Sequence, residues 1–274
     1  MKKLTALILV LAMAVCCFAG CTGGKPETTT AADDTTATPA GDSTTEGAAQ
    51  VDINAKDEGV LTYAAFLALE TGKEAVIEGF LQAKYDYSEG YKNTCLYLVD
   101  GDGAYYVYRY GCEAEDYAKL EIGAKLKVTG SKAEYHGEIE VSNVTALEVV
   151  GTDKYVADVL DITSSLASED LIKNQNRFVC VKGAEVVAST VEGKEYASLY
   201  KYNGAGTQGD DVYFKIKVGD GTYTYLVESD FCNKDSDTYK AAEALKIGDK
   251  IDIEGYLYWY DAAQIQVTSI KAAS

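Results

Sequence analysis

The chain writes one unit twice, and this limits its fold more than any other feature. Residues 101–112 read GDGAYYVYRYGC and residues 219–232 read GDGTYTYLVESDFC. After each phrase comes an Ala-containing polar stretch, then two glycines at one spacing: Gly123 and Gly130 are seven apart, as are Gly248 and Gly255. Upstream, EAVIEGFLQAK matches RFVCVKGAEVV at Gly79 and Gly183. Self-similarity over this length implies two homologous domains. They are assigned to 57–150 and 151–274, with the boundary around GTDKY, 151–155.

Within one unit the pattern reads short helix, strand, strand, tight turn, strand, helix, strand, strand. TYAAFLALETG and SEDLIKNQ open the two units; Thr62 and Ser168 suit an N-cap and Gly72 suits a helix stop. Strands are expected at Val76–Lys84, Thr94–Val99, Tyr105–Tyr110, Lys125–Thr129 and Glu138–Val144. Gly79 inside the first marks a bulge or sharp bend. Residues 100–103, Asp-Gly-Asp-Gly, accept positive φ and read as a hairpin turn. They lack the third acidic ligand and closing Glu of a calcium loop. EAEDYAKL is a short helix between the third and fourth strands, and His136-Gly137 is a solvated turn.

Five strands with one helix between the third and fourth resemble the OB-fold, a small Greek-key barrel. The expected class is therefore mainly β: two tandem five-stranded OB-fold-like Greek-key barrels. Another small β-barrel or a β-sandwich remains the alternative.

The N-terminus reads as a targeting segment. Lys2 and Lys3 precede LTALILVLAMAV, which is too short for a lasting membrane span. It ends in Phe18-Ala19-Gly20-Cys21, which resembles the lipobox of bacterial lipoproteins, although Phe18 stands where Leu is usual. The resemblance implies a signal peptide at 1–20 and a diacylglycerol on the Cys21 thiol, holding the protein on the outer side of a bacterial membrane. An ordinary cleaved signal peptide is the other reading. Residues 21–56 hold little that could form a core and are expected to be a disordered tether, with ends roughly 30–35 Å apart. The whole chain resembles bacterial surface lipoproteins with tandem OB-fold domains, a group that implies architecture and location rather than an activity.

Charge and composition exclude several functions. Residues 57–150 carry 8 Lys/Arg against 17 Asp/Glu, and residues 151–274 carry 13 against 20. Nucleic-acid binders present a basic face, so nucleic acid is an unfavoured partner. The four cysteines after Cys21 (Cys95, Cys112, Cys180 and Cys232) form no CxxC or Cys/His pair, and His136 is the single histidine. No metal site or cofactor is expected, and the cysteines are expected to be mostly free thiols in a compartment that would permit disulfides. No GxSxG, P-loop, HExxH or Rossmann fingerprint is present. Catalytic residues are therefore not assigned, and the chain is read as a non-enzyme.

The tyrosines supply the candidate site. Aligning the hairpins on Asp102 and Asp220 matches Leu96 and Leu98 to Phe214 and Ile216, a core-facing alternation. Tyr97 and Val99 then match Lys215 and Lys217, so that face points outward. Across the turn, Tyr106, Tyr108 and Tyr110 share the outer face, matched by Thr224, Leu226 and Glu228. Arg109 has core-side parity and is expected near the barrel mouth. Cross-strand packing is one use for these rings. The other is a ligand platform for glycan, peptide or protein on the strand 2–3 face of an OB-fold. Tyr256, Tyr258 and Tyr260 form a second aromatic cluster around Trp259, facing outward if no bulge interrupts the strand at Gly255.

The function expected is a membrane-tethered binding or adaptor lipoprotein, with the first domain binding and the second supporting. Surface nucleic-acid capture is one alternative. A hydrolase using two carboxyls is another, and it would need an acid-lined cleft between the domains.

Overall fold

The computed structural model describes residues 51–273; the signal segment, Cys21 and most of the tether lie outside the described residues. No helix among the described residues is long and apolar enough to cross a membrane.

Two closed barrels follow one another. The first is built from β1 (Glu74–Lys84), β2 (Asn93–Val99), β3 (Ala104–Gly111), β4 (Ala124–Tyr135) and β5 (Glu138–Lys154), in the order β1-β2-β3-β5-β4. Helix α1 (Tyr63–Ala68) precedes it, and α2 (Ala114–Ala118) joins β3 to β4. A two-residue strand, β6 (Leu160–Asp161), leads into the second barrel along β7 (Phe178–Val187). An excursion of three short strands follows: β8 (Ser189–Val191), β9 (Lys194–Tyr196) and β10 (Ser198–Tyr200). The barrel is completed by β11 (Val212–Val218), β12 (Gly221–Val227), α3 (Asp237–Glu243), β13 (Lys250–Tyr260) and β14 (Ala262–Ala272). Pairing of β11 with both β7 and β12 closes it.

The tandem OB-fold-like plan expected from the repeat is the plan observed, with a helix between the third and fourth barrel strands of each unit. Thr62 caps α1 through a 3.2 Å bond from the Ala65 amide. Ser168 caps a 3₁₀ segment, Glu169–Asn174, in place of an α-helix. Inside barrel 1, Leu96, Leu98, Tyr105 and Val107 are fully buried with Phe66 of α1. Their counterparts Phe214, Ile216 and Tyr225 fill barrel 2 with Leu257 and Tyr239. Each such aliphatic or aromatic side chain contributes about 1.5–3 kcal/mol when fully buried.

The repeated glycine at the seven-residue spacing has a packing cause. A Cβ on Gly130 would lie 2.7 Å from the Ser142 carbonyl of β5, and one on Gly255 would run into the Gln266 carbonyl of β14. In both barrels the fourth strand passes under the fifth at the place where their register shifts.

One expectation is corrected. Residues 51–56 are not disordered: Val51 and Ile53 pack on barrel 1, and Lys56 pairs with buried Asp100 at 2.6 Å. The apolar pair gives this end of the tether something to bury. His136 is the exposed turn residue expected, and its ring also stacks on Tyr260 at 4.2 Å and bonds Asp261 at 2.8 Å. Asp100 accepts the Asp102 and Gly103 amides at 2.8 and 2.6 Å, and the Tyr105 hydroxyl at 2.8 Å. The carboxylate is thus consumed in closing the hairpin turn.

Candidate ligand cleft between the barrels

The outer face of the β2–β3 hairpin meets the second barrel. Tyr97 is fully buried and stacks on Tyr256, with ring centroids 4.3 Å apart and planes 16° from parallel. Tyr85 stacks in the same way on Phe231 at 4.7 Å. Tyr106, the cross-strand neighbour of Tyr97, meets Tyr258 edge-on at 5.6 Å. Rings packed like this add about 0.5–1.5 kcal/mol per pair beyond the area they bury.

Buried hydroxyls require partners, and Gln266 of β14 supplies them. Its Oε1 accepts from Tyr97 at 2.5 Å and lies 2.6 Å from the Tyr85 hydroxyl. Its Nε2 donates to Glu228 at 2.6 Å, and the same Glu228 oxygen lies 2.8 Å from Tyr85. Further along the seam, Gln175 and the Glu138 carboxyl satisfy backbone groups of the opposite barrel: Gln175 bonds Ile139 and Gly137, and Glu138 accepts from the Trp259 amide at 2.9 Å.

Beside this seam the barrels diverge and leave a cleft of about 880 Å³. Its floor is the outer face of barrel 2: Tyr213 on β11, with Thr224 and Leu226 on β12. Tyr106 and Tyr108 of β3 and Glu140 of β5 form the facing wall. Tyr258 reaches in from β13, and Tyr135, Tyr202 and Tyr260 stand at the exposed rim. The seven tyrosines are joined by three carboxyls, Glu140, Asp211 and Glu228, and by Gln264. No Lys or Arg lines the space.

The three carboxyls differ. Asp211 is held by the Ser229 amide and hydroxyl at 2.8 and 2.9 Å. Glu228 is engaged by Tyr85 and Gln266, and burial pushes it up to about 7, eased by the Tyr85 bond and raised further by Asp211 and Asp230. Glu140 is also pushed up to about 7 by burial, with Arg109 pulling it back. Only 6% exposed, Glu140 has no hydrogen-bonding or ion-pairing side chain among the described residues.

The structure distributes the expected site residues unevenly. Tyr97 and Tyr256 are sealed in the seam and have no face for a ligand. Tyr106 is 3% exposed and lines the cleft. Tyr108, Tyr258 and Tyr260 line the cleft. Tyr110 and Arg109 exchange sides relative to the expected parity. Arg109 adopts φ of +49° and the β2–β3 register shifts between Thr94 and Leu96, so Tyr110 turns toward the barrel 1 core and Arg109 outward. There the Arg109 guanidinium lies over the Tyr108 ring, 4.9 Å from its centroid. In β13 no residue is inserted at Gly255, since the extra residue, Thr268, belongs to β14, and the outward alternation of Tyr256, Tyr258 and Tyr260 is kept.

The cleft is shared, contrary to a binding first domain and a supporting second one. Glu140, Tyr135, Tyr202 and Tyr213 were not legible as site residues. Glu228 was placed on the outer face but not in a cleft. All four cysteines among the described residues are free thiols, and Cys95 accepts the Arg109 amide at 3.4 Å inside the bulge.

No family model matches the chain, and no curated protein matches it. Solved structures match this chain only in part and at low similarity. The Entamoeba histolytica asparaginyl-tRNA synthetase in complex with asparaginyl-adenylate matches 32% of this chain at 23% identity and a TM-score of 0.28; the chain spans 23% of that protein's length. The hypothetical protein YgiW of E. coli matches over its whole length and 37% of this chain, at 13% identity and a TM-score of 0.26. A murine DNA-binding protein bound with double-stranded DNA matches 73% of this chain and 99% of its own, at 13% identity and a TM-score of 0.34.

Proposed function

We propose that the protein is a non-catalytic, lipid-anchored binding protein on the outer side of a bacterial membrane, and that its ligand occupies the cleft between the two barrels. The observation that carries this reading is the cleft itself: about 880 Å³, lined by seven tyrosines, within the size range of small-molecule sites. Its rings offer flat stacking surfaces and its hydroxyls and Gln264 offer hydrogen bonds. The Phe18-Ala19-Gly20-Cys21 sequence supports the anchor. Net acidity of both halves counts against nucleic acid, whose affinity rests largely on phosphate neutralisation. The full chain probed on glycan, peptide and oligonucleotide arrays is expected to bind a glycan or peptide class and to lose it on Tyr258→Ala. Retained binding after that substitution removes the cleft from the reading. A Cys21→Ser chain that still fractionates with membranes removes the anchor.

A second reading is a carboxyl-dependent hydrolase, favoured by one observation: Glu140 and Glu228 share a cleft and are both pushed up to about 7. A carboxyl raised in this way suits a general acid. Glycan turnover that disappears in both Glu140→Gln and Glu228→Gln would establish it.

A further inference from the structure

We propose that the ligand of this cleft is an organic ammonium ion, held by tyrosine faces and by the Glu140 carboxylate. The proposal rests on the cleft reading above and names its ligand class. Two independent features point to a cation. The first is the lining: seven tyrosines and three carboxyls with no basic side chain. Tyrosine rings present negative faces, and a cation within about 6 Å of a ring centroid is attracted to them, most strongly where water is excluded. The chain already shows this pairing at the cleft edge, where Arg109 lies over Tyr108.

The second feature is Glu140. Glu140 is 6% exposed as a residue, and its carboxyl opens onto the cleft with no protein side chain bonded to it among the described residues, so a counter-charge placed there offsets its partial desolvation. Arg109 acts on it only at a distance, outside ion-pair range. Asp211 and Glu228, by contrast, are occupied by protein donors. Glu140 is therefore the one cleft carboxyl left for a ligand. A neutral sugar could bond it, but only a cation also repays the cost of ionising it in this setting.

The charged and titratable groups around Glu140 all bear on this. Arg109 and Tyr108 approach from β3, Tyr135 from β4 and Tyr258 from β13, while Glu138 precedes it on β5. Tyr108 and Tyr258 remain neutral phenols, raised by burial and by the neighbouring acids. Burial pushes the Glu138 carboxyl well above its ordinary range. The carboxyls that change state near neutrality are Glu140 and Glu228, both at about 7. An ammonium ion binds the ionised form of Glu140, so binding releases a proton where that carboxyl is protonated. Affinity is expected to rise about tenfold per pH unit per coupled proton below 7 and to level off above about 8.

The test is calorimetric titration of the full chain with choline, with spermidine and with a neutral maltooligosaccharide, from pH 5.5 to 8.5 and in two buffers of different ionisation enthalpy. Choline or spermidine is expected to bind with at least tenfold gain from pH 6 to 8 and with buffer-dependent heat. Preference between the two separates quaternary from primary ammonium. Glu140→Gln is expected to weaken binding at least tenfold and to flatten the pH profile while thermal unfolding stays cooperative. Glu134→Gln, outside the cleft, is the control and should change nothing. If the sugar binds with a flat pH profile and neither cation does, the ammonium proposal falls and the cleft reading stands. If none of the three binds, the ammonium proposal falls and the cleft reading loses its small-molecule basis. Cation binding that is unchanged in Glu140→Gln also overturns the proposal.

Discussion

The outer faces of the two β-hairpins, β2–β3 in barrel 1 and β11–β12 in barrel 2, occupy equivalent places in the repeat and have opposite fates. The first carries Tyr97 and Tyr106, and both are buried against Tyr256, Tyr258 and Phe231. The second carries Tyr213, Lys215, Thr224 and Leu226, and it floors an open cleft. The tyrosine-rich face is therefore chiefly adhesive, and the plainer face is where space for a ligand exists. A duplicated fold can divide labour in this way because a strand's outer face is optional: it can be covered or left open without disturbing the core behind it.

The largest effect is expected from making the first face resemble the second. Tyr97→Lys, copying Lys215, removes the ring stacked on Tyr256 and packed near Phe231, and leaves a charged ammonium in the seam beside Gln266. Loss of a buried ring alone costs about 3–5 kcal/mol, and the stranded charge adds to this. Denaturant unfolding should show a loss of about 4–5 kcal/mol or separate transitions for the two barrels. The reverse exchange, Lys215→Tyr, sits on a half-buried face and should change stability by less than about 1 kcal/mol. Equal effects from both would show that the faces do not differ as described.

Next in size is a division between neighbours. Tyr106→Thr removes a 3% exposed ring from the seam and should cost about 2–4 kcal/mol. Tyr108→Leu, at the half-buried cleft wall, should cost less than about 1 kcal/mol. The second domain has Thr224 and Leu226 at these positions, so the pair of substitutions asks which half of the tyrosine row is adhesive. Thermal or denaturant unfolding of each single variant answers it.

A smaller effect concerns pH, and its sign is opposite to the common carboxylate case. Glu140 and Glu228 are both raised to about 7, against 4.5 ordinarily. Between those values the folded chain holds more protons than the unfolded one, so stability is fully present below about 4.5 and is lost as pH rises toward 7. Each group contributes on the order of 1–3 kcal/mol to this decline. Melting temperature should fall from pH 5 to pH 8, and Glu228→Gln should remove part of the slope. A melting temperature that rises over the same range contradicts the burial of these acids.

Much of the fold was legible in the sequence because its signals are local or periodic. The repeat gave the number of barrels, the Asp-Gly-Asp-Gly turn gave the first hairpin, and apolar alternation gave the core sides of Leu96, Leu98, Phe214 and Ile216. Errors appear where a local rule meets a distant partner. Gly130 reads as the end of a strand, yet β4 continues to Tyr135 because the glycine answers crowding by β5. The parity of Arg109 and Tyr110 fails because a non-glycine residue takes a positive φ in a bulge, which nothing in Tyr-Arg-Tyr announces. The cleft was hidden for a third reason. Glu140 and Tyr213 lie about 70 residues apart and look like ordinary outward positions until the barrels are placed together. Alternation tells which way a side chain points and is silent on what it meets.

The smallest expected effect lies at the hairpin tips, where the two barrels touch through equivalent turns. His136 adopts φ of +52° and Asp261 of +58°, and the Asp261 amide donates to the His136 carbonyl at 2.8 Å. Their side chains bond at 2.8 Å, yet they are 36% and 72% exposed. Exposed pairs of this kind contribute about 0–1 kcal/mol, and the stack of His136 on Tyr260 adds a similar increment. His136→Ala should therefore lower stability by about 1 kcal/mol or less. It should also free Tyr260, which stacks on His136 at the cleft rim, so hydrogen exchange at Trp259–Ala262 should quicken while the seam at Tyr97 and Tyr256 stays protected. Faster exchange at both places would mean that the tips, rather than the buried tyrosines, hold the barrels together. In that case the adhesive role assigned to the first hairpin face would pass to the two turns.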